Sequence, residues 1–294
     1  MITINELLNT VLKDFQDYVA SQDQLCSLLE MHYDAGRLPD YNDVHKQQLY
    51  LLRYAYAYAF EYKHMYRMLI HEYVFDRMIS VTSIGCGNCI DYWSLAKTVG
   101  DKYSIKYRGI DNVDWAYKIM PRHGDTVETE KADVVSLLQN LHDAFSSDIY
   151  IFPKSVSEFS EGEVLALASC FTRDTVAKDR VHFMFSLRTD SDSLDRDKYK
   201  TGLFYNQLSA NGFYSRTDRD SHFVFKQDIK DKFIHQVDDD FQHPGNVVDF
   251  LKDLYTRCKS YGGCGNEAEC TDRLRRWPIL RCKYAAWQAF TFER

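Results

Sequence analysis

The chain has 294 residues, 45% hydrophobic and 27% charged, an ordinary globular balance with room for one large domain or two small ones. Its aromatic content is high, with 21 Tyr and 18 Phe, which fits a packed chain and excludes a disordered one. The net charge of −7 excludes nucleic-acid binding through the overall field and leaves only a local basic patch for that purpose.

The opening residues, MITINELLNTVLKDF, are amphipathic and acidic, without the basic and apolar stretches of a signal peptide. No apolar run reaches membrane-spanning length, so the expected location is the cytoplasm, with no membrane association. Residues 1–76 read as a helical region. Leu7, Leu8, Val11, Leu12 and Phe15 recur at helical spacing, and a second long helical run follows the polar break DAGRLPDYND. In that run Tyr54, Tyr58, Tyr62 and Tyr66 stand four apart on one face, which suits either a stacking platform or a packed helix face.

From residue 77 to about 228 strands and helices alternate. MISVTSI, SIKYRGID, DIYIF and RVHFMFSL read as strands. DYWSLAKTV, WAYKIM, ADVVSLLQNLHDAF, SEGEVLALASCF and KTGLFYNQLSAN read as helices. GFYSR and HFVFKQ, joined by the polar turn TDRD, read as an antiparallel hairpin. The pattern predicts an α/β domain with a doubly wound, mostly parallel seven-stranded sheet ending in that hairpin. Residues 229–294 read as a separate Cys-rich element.

The turn after the first strand, IGCGNCI, carries the chemistry. Glycine after a strand permits positive φ, a second glycine permits close ligand approach, and the helix that follows offers unpaired N–H groups. Asp111, at the end of the next strand and 24 positions after Gly87, suits the two hydroxyls of a ribose. Cys86 and Cys89 also form a C-x-x-C at a helix start, readable as a redox pair or, for Cys86, as a small filler between glycines. Ile90, where a nicotinamide-dinucleotide fold wants a small residue, weighs against NAD.

The runs SIGCGNCIDYW, GIDNVDW and DIYIFPKS, together with the closing strands, resemble class I S-adenosylmethionine-dependent methyltransferases over residues 78–226. The resemblance implies that Gly85, Cys86 and Gly87 form the cofactor loop, that Asp111 holds the ribose, and that Asp133 and Val134 lie toward the adenine. It implies that Phe152, Pro153, Lys154 and Ser155 line the acceptor side. Ser83 stands where the family often has an acid, and Cys89 where it has a third glycine. The cofactor-binding set so implied is Ser83, Gly85, Cys86, Gly87, Asp111, Asn112, Asp133, Phe152 and Pro153. FPKS differs from the Asn-Pro-Pro-Tyr motif of amino methylation, so the substrate is left open. No catalytic residue is assigned. Glu158, Lys154 and His182 are the candidate bases by motif position, and each suits a structural or surface role better than a catalytic one.

Cys258, Cys264, Cys270 and Cys282 are spaced C-x5-C-x5-C-x11-C. Four thiolates suit structural zinc, although the spacing is longer than in zinc knuckles; an iron–sulfur cluster or four free thiols are the alternatives. His235 and His243 are possible substitutes in that set. Arg273, Arg275, Arg276, Arg281 and Lys283, interleaved with Trp277, Tyr284 and Trp287, suit a nucleic-acid backbone and its bases, or a charged face over an aromatic core. The expected function is methyl transfer to a nucleic-acid acceptor such as RNA. The alternatives are transfer to a protein or small molecule, or an inactive methyltransferase-fold binding protein.

Overall fold

A computed structural model describes residues 4–31, 39–140, 146–172, 175–226, 245–263, 265, 267–274 and 284–293. Helices α1 (Ile4–Ser21) and α2 (Val44–Glu72) open the chain. They are followed by β1 (Met78–Ile84), α3 (Ile90–Val99), β2 (Ser104–Asp111), β3 (Thr126–Lys131), α4 (Val134–Asn140) and β4 (Ile149–Phe152). Next come α5 (Glu161–Cys170), β5 (Arg180–Leu187), α6 (Ser191–Ala210), β6 (Tyr214–Ser215) and β7 (Phe223–Lys226). The chain closes with α7 (Gly245–Lys252), α8 (Glu267–Leu274) and β8 (Tyr284–Glu293). These elements fall into two compact units, one drawing on Met1–Phe60, Trp115–Met120 and Phe233–Cys282, the other on Glu61–Asp114, Pro121–Lys232 and Lys283–Arg294.

The first unit is helical. The apolar stripe of α1 is buried at Leu8, Val11, Leu12, Phe15 and Val19, and Phe15 meets Phe250 of α7 edge-on at 6.0 Å. Along α2, Tyr54 and Tyr58 stack nearly parallel at 5.7 Å, and the Tyr50 ring lies tilted against both. WAYKIM is not helical. It runs as an irregular strap whose Ala116 N–H donates to Gln47 Oε1 at 2.9 Å and whose Tyr117 hydroxyl donates to Asp14 at 2.7 Å. Long-range hydrogen bonds override its weak local helical pattern.

The second unit is the sheet, in the order β3-β2-β1-β4-β5-β8-β6, with β7 also pairing β8. Strands β1 to β5 are parallel, and β8 runs antiparallel to β5, β6 and β7. Helices α4, α5 and α6 cover one face over a core of Tyr150, Phe152, Phe171, Phe183, Phe185 and Phe204. On the other face, α3 reaches Tyr107 of β2 through Asp91, and Glu61 of α2 accepts from Ser186 of β5. This is the doubly wound, mostly parallel architecture expected from the alternation.

Two strands differ from the expectation. β3, TVETEK, is an edge strand with an exposed, polar pattern, so it carries no apolar signal. β8 comes from the chain's last residues and lies between β5 and the two short strands, which therefore pair with β8 rather than with each other. Its sequence, AAWQAFTF, lacks alternation because a strand buried on both faces has no polar side to show.

The aromatic layer is tight: Phe204 is 1% exposed and its ring centroid lies 5.1 Å from Phe183 and 5.3 Å from Phe185. Phe204→Ala is expected to cost about 3–5 kcal/mol, read as a lowered urea midpoint with an unchanged slope.

Candidate cofactor site at the ends of β1 and β4

From β1 the chain moves outward through β2 and β3, then returns to pair β4 on the other side of β1. Strand order therefore reverses between β1 and β4, and the crevice beyond their carboxyl ends is where open α/β sheets bind ligands. Among the described residues, Cys89 at φ 66° and Lys154 at φ 61° are the non-glycine residues in the left-handed region, and both flank this crevice. That conformation costs roughly 1–2 kcal/mol for an L-residue and persists where the surroundings enforce it. Cys89 thus takes, just before α3, a backbone conformation that glycine adopts freely.

Gly85 and Gly87 have φ of 74° and 54°. The N–H groups of Gly85 and Cys86 donate to the Ile110 carbonyl at 2.8 and 3.2 Å, which folds the loop back over β2. Gly87 N–H donates to Asp111 Oδ2 at 2.8 Å and Val113 N–H to Asp111 Oδ1 at 2.9 Å. The carboxylate is thereby fixed in orientation, and a carboxylate oxygen can accept more than one hydrogen bond. Asn88, in the same loop, is 3% exposed, and its amide nitrogen finds no acceptor among the described residues. An acceptor-bearing ligand would satisfy it.

Gly85 answers to a different neighbour than a ligand. A Cβ there would lie 2.5 Å from Ser155 Cβ, while Ser155 Oγ donates to the Ile84 carbonyl at 2.5 Å. The close approach is between the β1 and β4 loops. Cys86 likewise packs onto β2, where a Cβ on Gly109 would meet its sulfur at 2.7 Å. Its thiol is pushed well above the ordinary range by its hydrogen bond to Cys89, then by burial and nearby negative charge. That is the opposite of an activated redox thiol; Cys86 is a filler.

Beneath the loop, Asp91 is 1% exposed and accepts from the Tyr107 hydroxyl at 2.9 and 3.0 Å. Burial raises it to about 6, against the opposing pull of the Ser83 and Tyr107 hydroxyls and the adjacent backbone. Ser83, at 0% exposure, belongs to this buried group under the loop rather than to the crevice surface.

The remaining predicted residues divide. Asn112 is exposed beside Asp111. Asp133 is exposed and caps α4, its Oδ1 accepting from Val135 and Ser136 N–H at 2.8 and 3.1 Å, and Val134 points into the core. Phe152 is a core residue stacked 4.6 Å from Phe185, and Pro153 is buried. Lys154 pairs with Glu61 at 2.8 Å and donates to the Leu187 carbonyl. His182 lies near the start of β5, in register with Ile149, away from the carboxyl ends; its Nδ1 is 2.9 Å from Thr291 Oγ1. The candidate base that stays at the crevice is Glu158, in the 3-10 turn Val156–Glu158 after β4. Its side chain is exposed, and desolvation followed by the Asp111 charge raises it to about 7, with Arg188 opposing.

Cys264, Cys282, His235 and His243 lie outside the described residues, as do Arg275, Arg276, Trp277, Arg281 and Lys283. Cys258 and Cys270 are buried and free of disulfides, and among the described residues no group of three or more metal-ligating side chains assembles. Zinc therefore gains no support. Arg273 pairs with Glu269 at 3.1 Å and donates to the Leu29 carbonyl, and Trp287 is 4% exposed in β8, stacked on Phe223. Both residues serve packing instead of a basic surface. Among the described residues no helix is long and apolar enough to cross a membrane.

No family model matches the chain, and no curated protein matches it. Solved structures do. A cyclopropane synthase from Mycobacterium tuberculosis aligns over 95% of this chain and 98% of its own at 10% identity, with a TM-score of 0.44. A SAM dependent methyltransferase from Archaeoglobus fulgidus covers 79% and 94% at 15% identity and a TM-score of 0.39. A mycolic acid cyclopropane synthase in complex with SAH and CTAB covers 79% and 83% at 10% identity and a TM-score of 0.42. At this distance likeness alone assigns no function.

Two outcomes test the site's construction. Gly85→Ala should destabilise by roughly 1–3 kcal/mol through strain at positive φ and the clash with Ser155. Adding Ser155→Gly should recover the steric part and leave the backbone part, a non-additivity visible in a double-mutant cycle. His182 is held down at about 4 by burial, so its neutral form is the folded one. The stability this contributes is complete above the unfolded value near 6.5 and is lost as pH falls toward 4, by about 3 kcal/mol in all. His182→Gln should flatten that acid limb in thermal denaturation.

Proposed function

We propose that the crevice binds S-adenosylmethionine and that the protein is a class I methyltransferase. The observation that carries this is the juxtaposition at the strand-order reversal: a positive-φ glycine loop whose Gly87 N–H orients the carboxylate ending β2, Asp111. Dinucleotide folds share such a loop, but Ile90, 3% exposed at the first position of α3, fills the place where they need a small residue.

The residues fit the cofactor. Asp111 would accept from its ribose hydroxyls, and the Asn88 amide, which finds no acceptor among the described residues, would donate to it. When bound, the cofactor supplies a methyl group made electrophilic by a sulfonium sulfur. The chain's part is to position and exclude water. Ser155 locks the β4 loop to β1, Lys154 anchors it to Glu61 and Leu187, and Glu158 is left facing the crevice. RNA as acceptor would depend on Arg275, Arg276, Arg281 and Lys283, because Arg273 and Trp287 are committed to packing. The reading is accordingly of the reaction class.

Calorimetric titration is the test. S-adenosylmethionine should bind and NAD should not. Asp111→Ala should weaken binding by about 10- to 100-fold, the worth of hydrogen bonds to a charged acceptor, with folding checked by circular dichroism. Binding that Asp111→Ala leaves intact would remove the assigned role of the loop.

A further inference from the structure

Helix α2 carries a carboxylate into the interior at Glu61, which is 3% exposed. Its Oε1 accepts from Lys154 Nζ at 2.8 Å and from the Ser186 hydroxyl of β5. Lys154 Nζ also donates to the carbonyl of Leu187, the residue after Ser186. The ammonium is thus held between α2 and the carboxyl end of β5. A buried charge is costly unless it is paired and hydrogen-bonded, and here both conditions are met.

The ion pair acts on a strained backbone. Lys154 has φ 61° and immediately precedes Ser155, so its conformation sets the direction in which the chain presents Ser155. An L-residue keeps such a φ only where its surroundings enforce it, and the contacts of Lys154 Nζ supply that enforcement. Ser155 in turn lies against the glycine loop: a Cβ on Gly85 would come within 2.5 Å of Ser155 Cβ, and Ser155 Oγ donates to the Ile84 carbonyl at 2.5 Å. Gly85 and Cys86 then donate to the Ile110 carbonyl, and Gly87 to Asp111 Oδ2. An unbroken line of contacts therefore runs from Glu61 through Lys154 and Ser155 to the loop and Asp111. Lys200 Nζ fastens the other end of the β4 loop, at the carbonyls of Ser157 and Phe159. The end beside Gly85 is the one that Glu61 governs.

We propose that Glu61 is a positioning residue for the cofactor. Through Lys154 it holds the β4 loop in the left-handed turn that seats Ser155 against Gly85, and so fixes the shape of the glycine loop that receives S-adenosylmethionine. This rests on the S-adenosylmethionine reading above. Glu61 works on the backbone and not by charge at the crevice. Without its carboxylate, Lys154 keeps a buried ammonium without its counter-charge and relaxes to an ordinary φ, which turns Ser155 away from Gly85. Lys154→Gly would adopt the same φ without an anchor, whereas Lys154→Ala would keep the strain. That difference separates a positioning role from a merely stabilising one.

The experiment is calorimetric titration of S-adenosylmethionine into the full chain, into Glu61→Gln, and into Glu61→Gln combined with Lys154→Gly or with Lys154→Ala. Hydrogen exchange of the Gly85, Cys86 and Gly87 amides is followed in the same proteins without ligand. Glu61→Gln should weaken binding by about 2- to 30-fold, the range for a residue coupled to a site through packed contacts, and should speed exchange of the three amides. Adding Lys154→Gly should recover most of the affinity and the protection. Adding Lys154→Ala, which equally removes the unpaired ammonium, should recover neither. If Glu61→Gln alone does not fold, the two double variants carry the same comparison. Phe292→Ala, in the core at the opposite end of β5, should lower stability yet leave affinity and loop exchange as in the wild type. Wild-type affinity and exchange in Glu61→Gln, or equal behaviour of the two double variants, would overturn the inference and leave the cofactor reading intact. No heat with S-adenosylmethionine in the wild type would overturn the cofactor reading, and loop exchange would still decide whether Glu61 sets the loop.

Discussion

The pairing of β1 with β4 is the constraint on which the site depends. Because these two parallel strands are neighbours in space but separated in the chain by β2, β3 and α4, their loops leave in different directions and open a crevice. The contact that closes the base of that crevice is steric: Ser155 occupies the space a side chain on Gly85 would need. The two strained non-glycine residues, Cys89 and Lys154, sit one on each loop, and each is held by tertiary contacts. Strain stored on both sides of a ligand crevice is a common sign of preorganisation.

Electrostatics then separate the carboxylates. Asp91, Asp111 and Glu158 belong to successive depths of the same region. Asp91 is buried and stabilised by Tyr107. Asp111 is oriented by two backbone N–H groups. Glu158 is raised to about 7 by desolvation and then by the Asp111 charge, with Arg188 opposing. The cations that would neutralise it are turned toward Asp197, Glu61 and backbone carbonyls.

Much of this was legible in residue order. The β1, β2, β4 and β5 strands and the α3, α5 and α6 helices follow from periodicity, and α5 also carries its own start signal, the Ser160–Glu163 capping box. Asp111 was legible because strand, glycine turn, helix and strand-end acid come at a fixed spacing. The edge strand β3 was not, since its exposed Thr and Glu residues carry no apolar pattern. β8 was not, since uniform burial removes alternation. Phe152, read at the cofactor site, packs in the core, and Trp287, read either as a nucleic-acid contact or as part of an aromatic core, takes the second role, because an aromatic residue looks the same in sequence whether it lines a cleft or fills a core.

The sequence by itself determined the local elements and the glycine turn with its acid, because those depend on spacing along one segment. Only the tertiary structure decided that Gly85 makes room for Ser155, that Cys86 is an inert filler and that His182 lies away from the crevice. It also decided that Arg188, which opposes the rise of Glu158, pairs with Asp197. Each of these depends on which distant segment lies against the residue, and that is set by the order of strands in the sheet and not by neighbours in the chain.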